Sequence, residues 1–216
     1  MPDASSRVVR RWQLLALVCI VTAGLALWLC SARSTTTVVL VRHAEKVEGP
    51  NPLLTAEGRQ RAEALVEVVA GSAVAGVYAT NLCRTALTAE PLALELGVPI
   101  RIQTVTDSGG LEQCGVTAPL APLPASLDSA EALADAILAA HRGRLVVVVG
   151  HSNTVPALVE AFGLESLCPR TFAPIDGECR IPDEAPDDQY SHLFVVEVPR
   201  WLGAPRLIHA RYGTLP

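Results

Sequence analysis

Lysine is almost missing from this 216-residue chain: Lys46 stands alone against sixteen Arg. The bias toward Arg, Ala, Val and Leu reads as a property of composition, not of function. Positive charge is not in excess. The formal net charge of −5 offers none of the basic footprint on which nucleic-acid binding rests, so no nucleic-acid partner is expected. The cysteines lack the paired CxxC spacing of a zinc site. No carboxylate cluster or His-rich ligand set recurs, so neither a metal nor a cofactor is expected. Internal repeats and a second domain are absent too. With half its residues hydrophobic, the chain can build one domain core plus a short extra segment.

Charge is absent altogether from Trp12 to Ala32, and Arg7, Arg10 and Arg11 precede that run. As a helix it would extend for roughly 30 Å, about the thickness of a bilayer core. Trp12 and Trp28 stand near its ends, where aromatic rings favour the interface. The basic flank predicts an N-terminus that stays in the cytoplasm and a remainder that is exported, so the catalytic domain should lie outside the cytoplasm. A cleaved signal peptide ending at Ala32 is the rival; the length of the run favours an uncleaved anchor through residues 12–32. The chain therefore divides into an anchor or signal segment, 1–33, and one domain, 34–216.

Export bears on the cysteines. Cys19 and Cys30 belong to the apolar run, leaving Cys83, Cys114, Cys168 and Cys179. An even number in an oxidising compartment predicts disulfides. Cys168 and Cys179 bracket a loop containing Pro and Gly and form the favoured pair. Cys83 with Cys114 follows by elimination, and four free buried thiols is the bland alternative.

Hydrophobic periodicity in 34–216 predicts strands at 36–41, 76–79, 98–102, 145–149, 192–198 and 206–210. It predicts helices at 55–69, 85–96, 129–141 and 155–162, with a loop from Thr104 to Leu127. The 145–149 strand is fully apolar and reads as central. This alternation implies a three-layer α/β/α sandwich around a largely parallel sheet. Arg42 and His43 follow the first strand, Asn81 and Arg84 the second, and His151 the 145–149 strand. Ligands of open α/β sheets bind at the C-terminal ends of strands, so two Arg and two His should meet at one place. The other histidines carry bland readings: His141 a solvated residue complementing a helix dipole, His209 a packed strand residue, His192 a neighbour of the acidic 183–188 stretch.

That set suits a phosphate ester. Guanidinium forks match phosphate oxygens and keep their charge, and two of them can stabilise a transferring phosphoryl group. A neutral imidazole is a competent nucleophile. A second imidazole can donate hydrogen bonds to the phosphoryl oxygens.

Three motifs resemble the histidine phosphatase superfamily, also called phosphoglycerate-mutase-like: Val41-Arg42-His43-Ala44-Glu45-Lys46, the stretch from Tyr78 to Ala89 around Arg84, and the stretch from Val149 to Pro156 around His151. The run from Leu54 to Ala62 fits as well, and the likeness spans residues 36–213 in the family's motif order. The resemblance implies a metal-independent phosphohydrolase of small phosphoesters. His43 would be the phosphate-accepting nucleophile, and Arg42, Arg84 and His151 would form the phosphate pocket, with Asn153 beside them.

The family's proton donor is less easily assigned. One branch carries Asp directly after the second His, where this chain has Ser152. Another takes a Glu from the loop after the third strand, for which Glu112 is the candidate, ahead of Asp107 and Glu45. Two rival functions stand beside this one. Gly150-His151-Ser152-Asn153-Thr154 is close to a serine-hydrolase elbow but lacks its last Gly; Ser152 would then need His192 or His209 as base. A non-catalytic phosphate-binding module on the same fold is the other.

Overall fold

β-branched runs alternating with apolar-faced helices fold as a layered α/β structure, described here for residues 4–32, 35–106, 110–164, 172–181, 189–200 and 203–213 of a computed structural model. Helix α1 (Ala4–Ala32) precedes strand β1 (Thr35–Arg42), α2 (Ala56–Val68), β2 (Val74–Thr80), α3 (Cys83–Leu96) and β3 (Ile100–Gln103). Then come β4 (Leu120–Pro122), α4 (Ala130–Ala140), β5 (Leu145–Gly150), α5 (Thr154–Ala161), β6 (Ala173–Ile175), β7 (Glu178–Arg180), β8 (His192–Pro199) and β9 (Arg206–Arg211).

Seven strands form one sheet in the order β4-β3-β2-β5-β1-β8-β9. β1 to β5 pair in parallel, while β8 and β9 add an antiparallel edge. β5 is central, as its unbroken Val146–Val149 run implies. Alternate strand residues feed two cores. Leu40, Val146 and Val148 pack with Leu133 and Ile137 of α4 and Val155 and Val159 of α5. Val39, Val147 and Val149 pack with Leu65 of α2 and Leu92 of α3 on the other face. The helix ends follow local chemistry: Thr55 caps α2 by accepting from Gly58 N–H at 3.0 Å, and Gly97 ends α3 in the left-handed region at φ 64°.

Three expectations are corrected. The stretch 104–127 holds β4, a three-residue edge strand whose Pro122 and exposed Leu120 hide it from a periodicity test. β6 and β7 form a separate hairpin. Its turn is Asp176-Gly177, both at positive φ, and an Asp-Gly pair is a hairpin signal that was legible. His141 is buried and shares a 2.8 Å hydrogen bond with the Tyr78 hydroxyl. Burial, then Arg101 and Arg144, hold its pKa down, so it is not a charged complement to α4.

The expected apolar segment is helical but begins at Ala4, ahead of Trp12. Side chains 11–26 are all exposed, Trp12 and Ile20 at 69%. Among the described residues no helix is long and apolar enough to cross a membrane.

Cys83 and Cys114 are joined as expected across 31 residues. Cys179 is also disulfide-bonded, and its expected partner, Cys168, lies outside the described residues. The Cys83–Cys114 bond sits at the start of α3, where Asn51 Oδ1 accepts from Cys83 N–H at 2.9 Å and Asn51 Nδ2 donates to Gly110 O at 3.0 Å. Closing a loop of this length stabilises on the order of 3–4 kcal/mol through the unfolded state. Alkylation of native, non-reduced protein should therefore leave Cys83 and Cys114 unmodified, and reduction should lower stability on that scale. A labelled Cys83 in non-reduced protein would contradict the bond.

Candidate active site

Strands β2, β5 and β1 are neighbours, and their C-terminal ends deliver the polar residues side by side. In the β1–β5 ladder Arg42 lies opposite Gly150, and the next rung is His43 N–H donating to Gly150 O at 2.9 Å. His43 and His151 thus leave adjacent strands, with ring centroids 5.5 Å apart. Arg84 enters from the first turn of α3, just past β2. All four expected residues, Arg42, His43, Arg84 and His151, line one cavity of about 920 Å³. Asn153 lines it as well.

The glycines of the motifs are needed for close approach. A Cβ on Gly150 would come within 2.6 Å of Thr154 Oγ1, the atom that accepts from His151 N–H at 2.7 Å. A Cβ on Gly58 would collide with the Glu45 carbonyl oxygen, which also accepts from Thr55 N–H at 3.0 Å. Thr88 Oγ1 accepts from Ala44 N–H at 2.9 Å, which binds the first motif to α3.

Hydrogen bonds fix the protonation pattern of both imidazoles. A carbonyl can only accept, so the 2.8 Å contact of His43 Nδ1 with Ala44 O puts the proton on Nδ1 and the lone pair on Nε2. For His151 the assignment runs through two threonines. Thr85 donates its hydroxyl proton to Leu82 O at 2.8 Å, with Thr80 O at 3.1 Å. In the 2.8 Å Thr80–Thr85 contact the donor is then Thr80. Thr80 Oγ1 therefore accepts from His151 Nε2–H at 2.9 Å. Neutral His151 keeps its lone pair on Nδ1. The sequence reading had it donating to phosphate, which requires a further proton.

Electrostatics favour neutral rings and a bound anion. Burial lowers the His43 pKa well below its usual value; the Ala44 carbonyl opposes this, while His151, Arg42 and Arg84 add to it. His151 is lowered to about 3, by burial first and then by Arg84 and Arg42. Arg84 Nε is buried without a hydrogen-bond partner, a donor suited to a phosphate oxygen.

The three proton-donor candidates fare differently. Glu45 is held by Arg61: Nε donates to Oε1 at 2.9 Å and Oε2 at 3.0 Å, and Nη2 donates to Oε1 at 2.6 Å. Arg61 also donates to Tyr212 O and Gly213 O, so this pair ties the first motif to α2 and the chain end. Glu112 is exposed and does not line the cavity, because the Cys83–Cys114 bond keeps its segment beside the start of α3. Asp107 lies outside the described residues. Asp128, which the sequence reading passed over, is the one carboxylate among the described residues lining the cavity.

Other residues stand around the cavity. The Arg42 guanidinium lies 4.8 Å from the Tyr190 ring centroid, and the His43 ring is 5.7 Å from it; no spacing in the sequence ties Tyr190 to either. Lys46 lines the cavity. Asn81, expected at the end of β2, braces the loop after β3, donating to Thr106 O at 2.6 Å and accepting from Val105 N–H at 3.0 Å. His192 Nδ1 and His209 Nε2 share a 2.8 Å hydrogen bond with each other, and neither residue lines the cavity that Ser152 lines. Among the described residues no three His, Cys, Asp or Glu side chains group as metal ligands.

Residues 38–105 match the family model of the histidine phosphatase superfamily, branch 1, in agreement with the resemblance seen in the motifs. No curated protein matches the chain. The fold is similar to that of a mycobacterial glucosyl-3-phosphoglycerate phosphatase, at 17% identity and TM-score 0.52, covering 82% of this chain and 98% of that one. It is also similar to mycobacterial hydrolase 2, at 17% and 0.53, covering 81% and 89%. The ecdysone phosphate phosphatase of Bombix mori, in complex with tungstate, matches at 16% and 0.52, covering 74% and 88%. At these identities the likeness is one of fold.

Two buried neutral imidazoles have a consequence for stability. Both folded pKa values lie below the unfolded value near ~6.5, so on acidification the unfolded chain takes up protons first. Stability should be complete above pH ~6.5 and fall as pH drops from there toward the folded values, about 3 for His151. Thermal denaturation at pH 7.5 and pH 5 should show this loss, and His151→Gln should reduce it. An equal loss in the variant would contradict the neutral assignment.

Proposed function

We propose that this domain, whose residues 38–105 match the family model of the histidine phosphatase superfamily, hydrolyses phosphate monoesters through a phosphohistidine on His43. The observation that carries the reading is the His43 Nδ1–H bond to Ala44 O. It aims the Nε2 lone pair outward and stabilises the positive charge that the ring acquires when Nε2 bonds to phosphorus. Arg42 and Arg84 hold the phosphoryl oxygens. One proton is shared between a phosphoryl oxygen and His151 Nδ1, brought by a monoanionic ester or taken up on binding.

In the first step the Nε2–P bond forms and the P–O bond to the alcohol breaks. Asp128 gives the departing oxygen its proton, a role that replaces the one expected for Glu112. In the second step water attacks phosphorus, Asp128 takes back a proton, the N–P bond breaks and phosphate leaves.

A phosphohistidine is acid-labile and stable in base. Quenching turnover of labelled substrate into alkali should trap label on the peptide holding His43. His43→Ala should abolish both label and turnover. Arg84→Ala should lower kcat/KM by roughly a hundredfold or more, the scale for losing one preorganised charge donor. Asp128→Asn should slow alkyl phosphates far more than p-nitrophenyl phosphate, whose leaving group needs little protonation. Full activity in His43→Ala, or label on Ser152, would overturn the assignment. Binding of phosphate with no turnover of any ester would favour the non-catalytic module.

We also propose, separately from the phosphatase reading, that the domain lies outside the cytoplasm on an N-terminal anchor. What supports it is the charge-free run from Trp12 to Ala32 and a helix with apolar side chains exposed all round it, a pattern suited to lipid. A reporter enzyme fused after residue 36 should be active only when exported. Activity in the cytoplasm would contradict the anchor, and a mature chain beginning at Arg33 would turn it into a cleaved signal.

A further inference from the structure

Arg42 and His43 are consecutive, and strand geometry separates consecutive side chains. Along β1, Val38 and Leu40 pack toward α4 and α5, while Val39 and Val41 pack toward α2 and α3. The ladder to β5 continues through His43, so this alternation starts Arg42 toward the first layer and His43 toward the second. Both nevertheless line one cavity. A single aromatic ring lies against the two of them. The Arg42 guanidinium carbon sits over the Tyr190 ring, 4.8 Å from its centroid. The His43 imidazole is 5.7 Å from the same centroid, its plane tilted by 48°. Tyr190 does not itself line the cavity and is half-buried behind the residues that do. Its backbone is held from several sides. β8 runs antiparallel to β1 with Leu193 opposite Val41, so the chain entering β8 passes the end of β1. Next to Tyr190, Ser191 O accepts from Tyr212 N–H at 2.9 Å. Tyr212 O in turn accepts from Arg61 Nη1, and Arg61 holds Glu45 of the first motif. The ring is thereby tied, through the chain end and α2, to the motif whose side chains it touches.

We propose that Tyr190 is a positioning residue of the phosphate site: its ring holds the Arg42 guanidinium beside the His43 imidazole, so that fork and nucleophile address one phosphoryl group. The inference rests on the phosphatase reading above and adds to it a residue outside 38–105, the span of the family match. An aromatic face attracts a guanidinium through the quadrupole of its π-system. It does so without a negative charge. A carboxylate in the same place would hold Arg42 too, but it would offset the positive charge that a phosphate has to meet. The ring acts on Arg42 and His43, not on substrate, so its role is orientation.

The test is a double-mutant cycle on the full chain: wild type, Tyr190→Leu, Arg42→Ala and the double variant, with Tyr190→Phe as the conservative change. Each is read by kcat/KM on p-nitrophenyl phosphate and by the Kd of inorganic phosphate. Tyr190→Leu should lower kcat/KM by roughly tenfold, the scale of a partly desolvated cation–π contact. Tyr190→Phe keeps the ring and should stay close to the wild type. In the Arg42→Ala background Tyr190→Leu should cost little, since the group that the ring holds is gone. A ring that only supports the fold would cost the same factor in both backgrounds. That equal loss overturns the proposal, as does an undiminished kcat/KM in Tyr190→Leu or a loss in Tyr190→Phe as large as in Tyr190→Leu. Tyr190 belongs to none of the core clusters; if Tyr190→Leu nonetheless fails to fold, Tyr190→Gln takes its place in the cycle. No turnover of p-nitrophenyl phosphate by the wild type overturns the phosphatase reading alone. The cycle is then decided on the phosphate Kd, where coupled losses uphold the positioning role and equal losses overturn it.

Discussion

The bond from His43 N–H to Gly150 O is the constraint on which the site depends. It extends the β1–β5 ladder one rung beyond Arg42, so both histidines leave the sheet at the same level. Without it each imidazole would stand on an independent loop, and the 5.5 Å separation of the rings would rest on side-chain packing alone. The rung needs Gly150 bare, because Thr154 closes over it to accept from His151 N–H. One residue's missing side chain thus joins the end of β1, the end of β5 and the first turn of α5.

Around that rung, polar groups hold the imidazoles in place without adding negative charge. The Ala44 carbonyl and the Thr80–Thr85 pair keep each in a single tautomer. The one carboxylate inside the first motif, Glu45, is drawn off by Arg61 into a structural pair. Arg84 keeps a buried nitrogen without a partner. A protein interior tolerates this poorly unless a ligand supplies the anion. The cost in stability is the counterpart of a preorganised phosphate site, since charges already in place need no rearrangement as the phosphoryl group transfers.

How much was legible in the sequence depended on whether a residue's role was local. The strand ends carrying Arg42, His43, Arg84 and His151 could be read because strands announce themselves by period and length, and function in such sheets gathers at their C-terminal ends. Thr55 as a cap and Gly97 as a stop were readable for the same reason. β4 was not, because three residues, two of them exposed, make no pattern. The Asp176-Gly177 turn was readable but passed over. Glu112 reads from its position as part of a loop free to fold inward, while in the structure it is exposed beside the Cys83–Cys114 bond and does not line the cavity.

The sequence alone determined the α/β alternation, the residues that reach the strand ends and the apolar N-terminal run, while the pairing of Cys83 with Cys114 stayed one of its alternatives until the fold brought the two together. The first three follow from local preference and periodicity. Only the tertiary structure decided that Glu45 serves Arg61, that Asp128 arrives from beyond β4, that Tyr190 covers Arg42, and which nitrogen of His151 bears the proton. Each of these depends on a contact between segments far apart in the chain. A side chain's chemistry states what it can donate or accept, while the fold alone brings the partner that takes it.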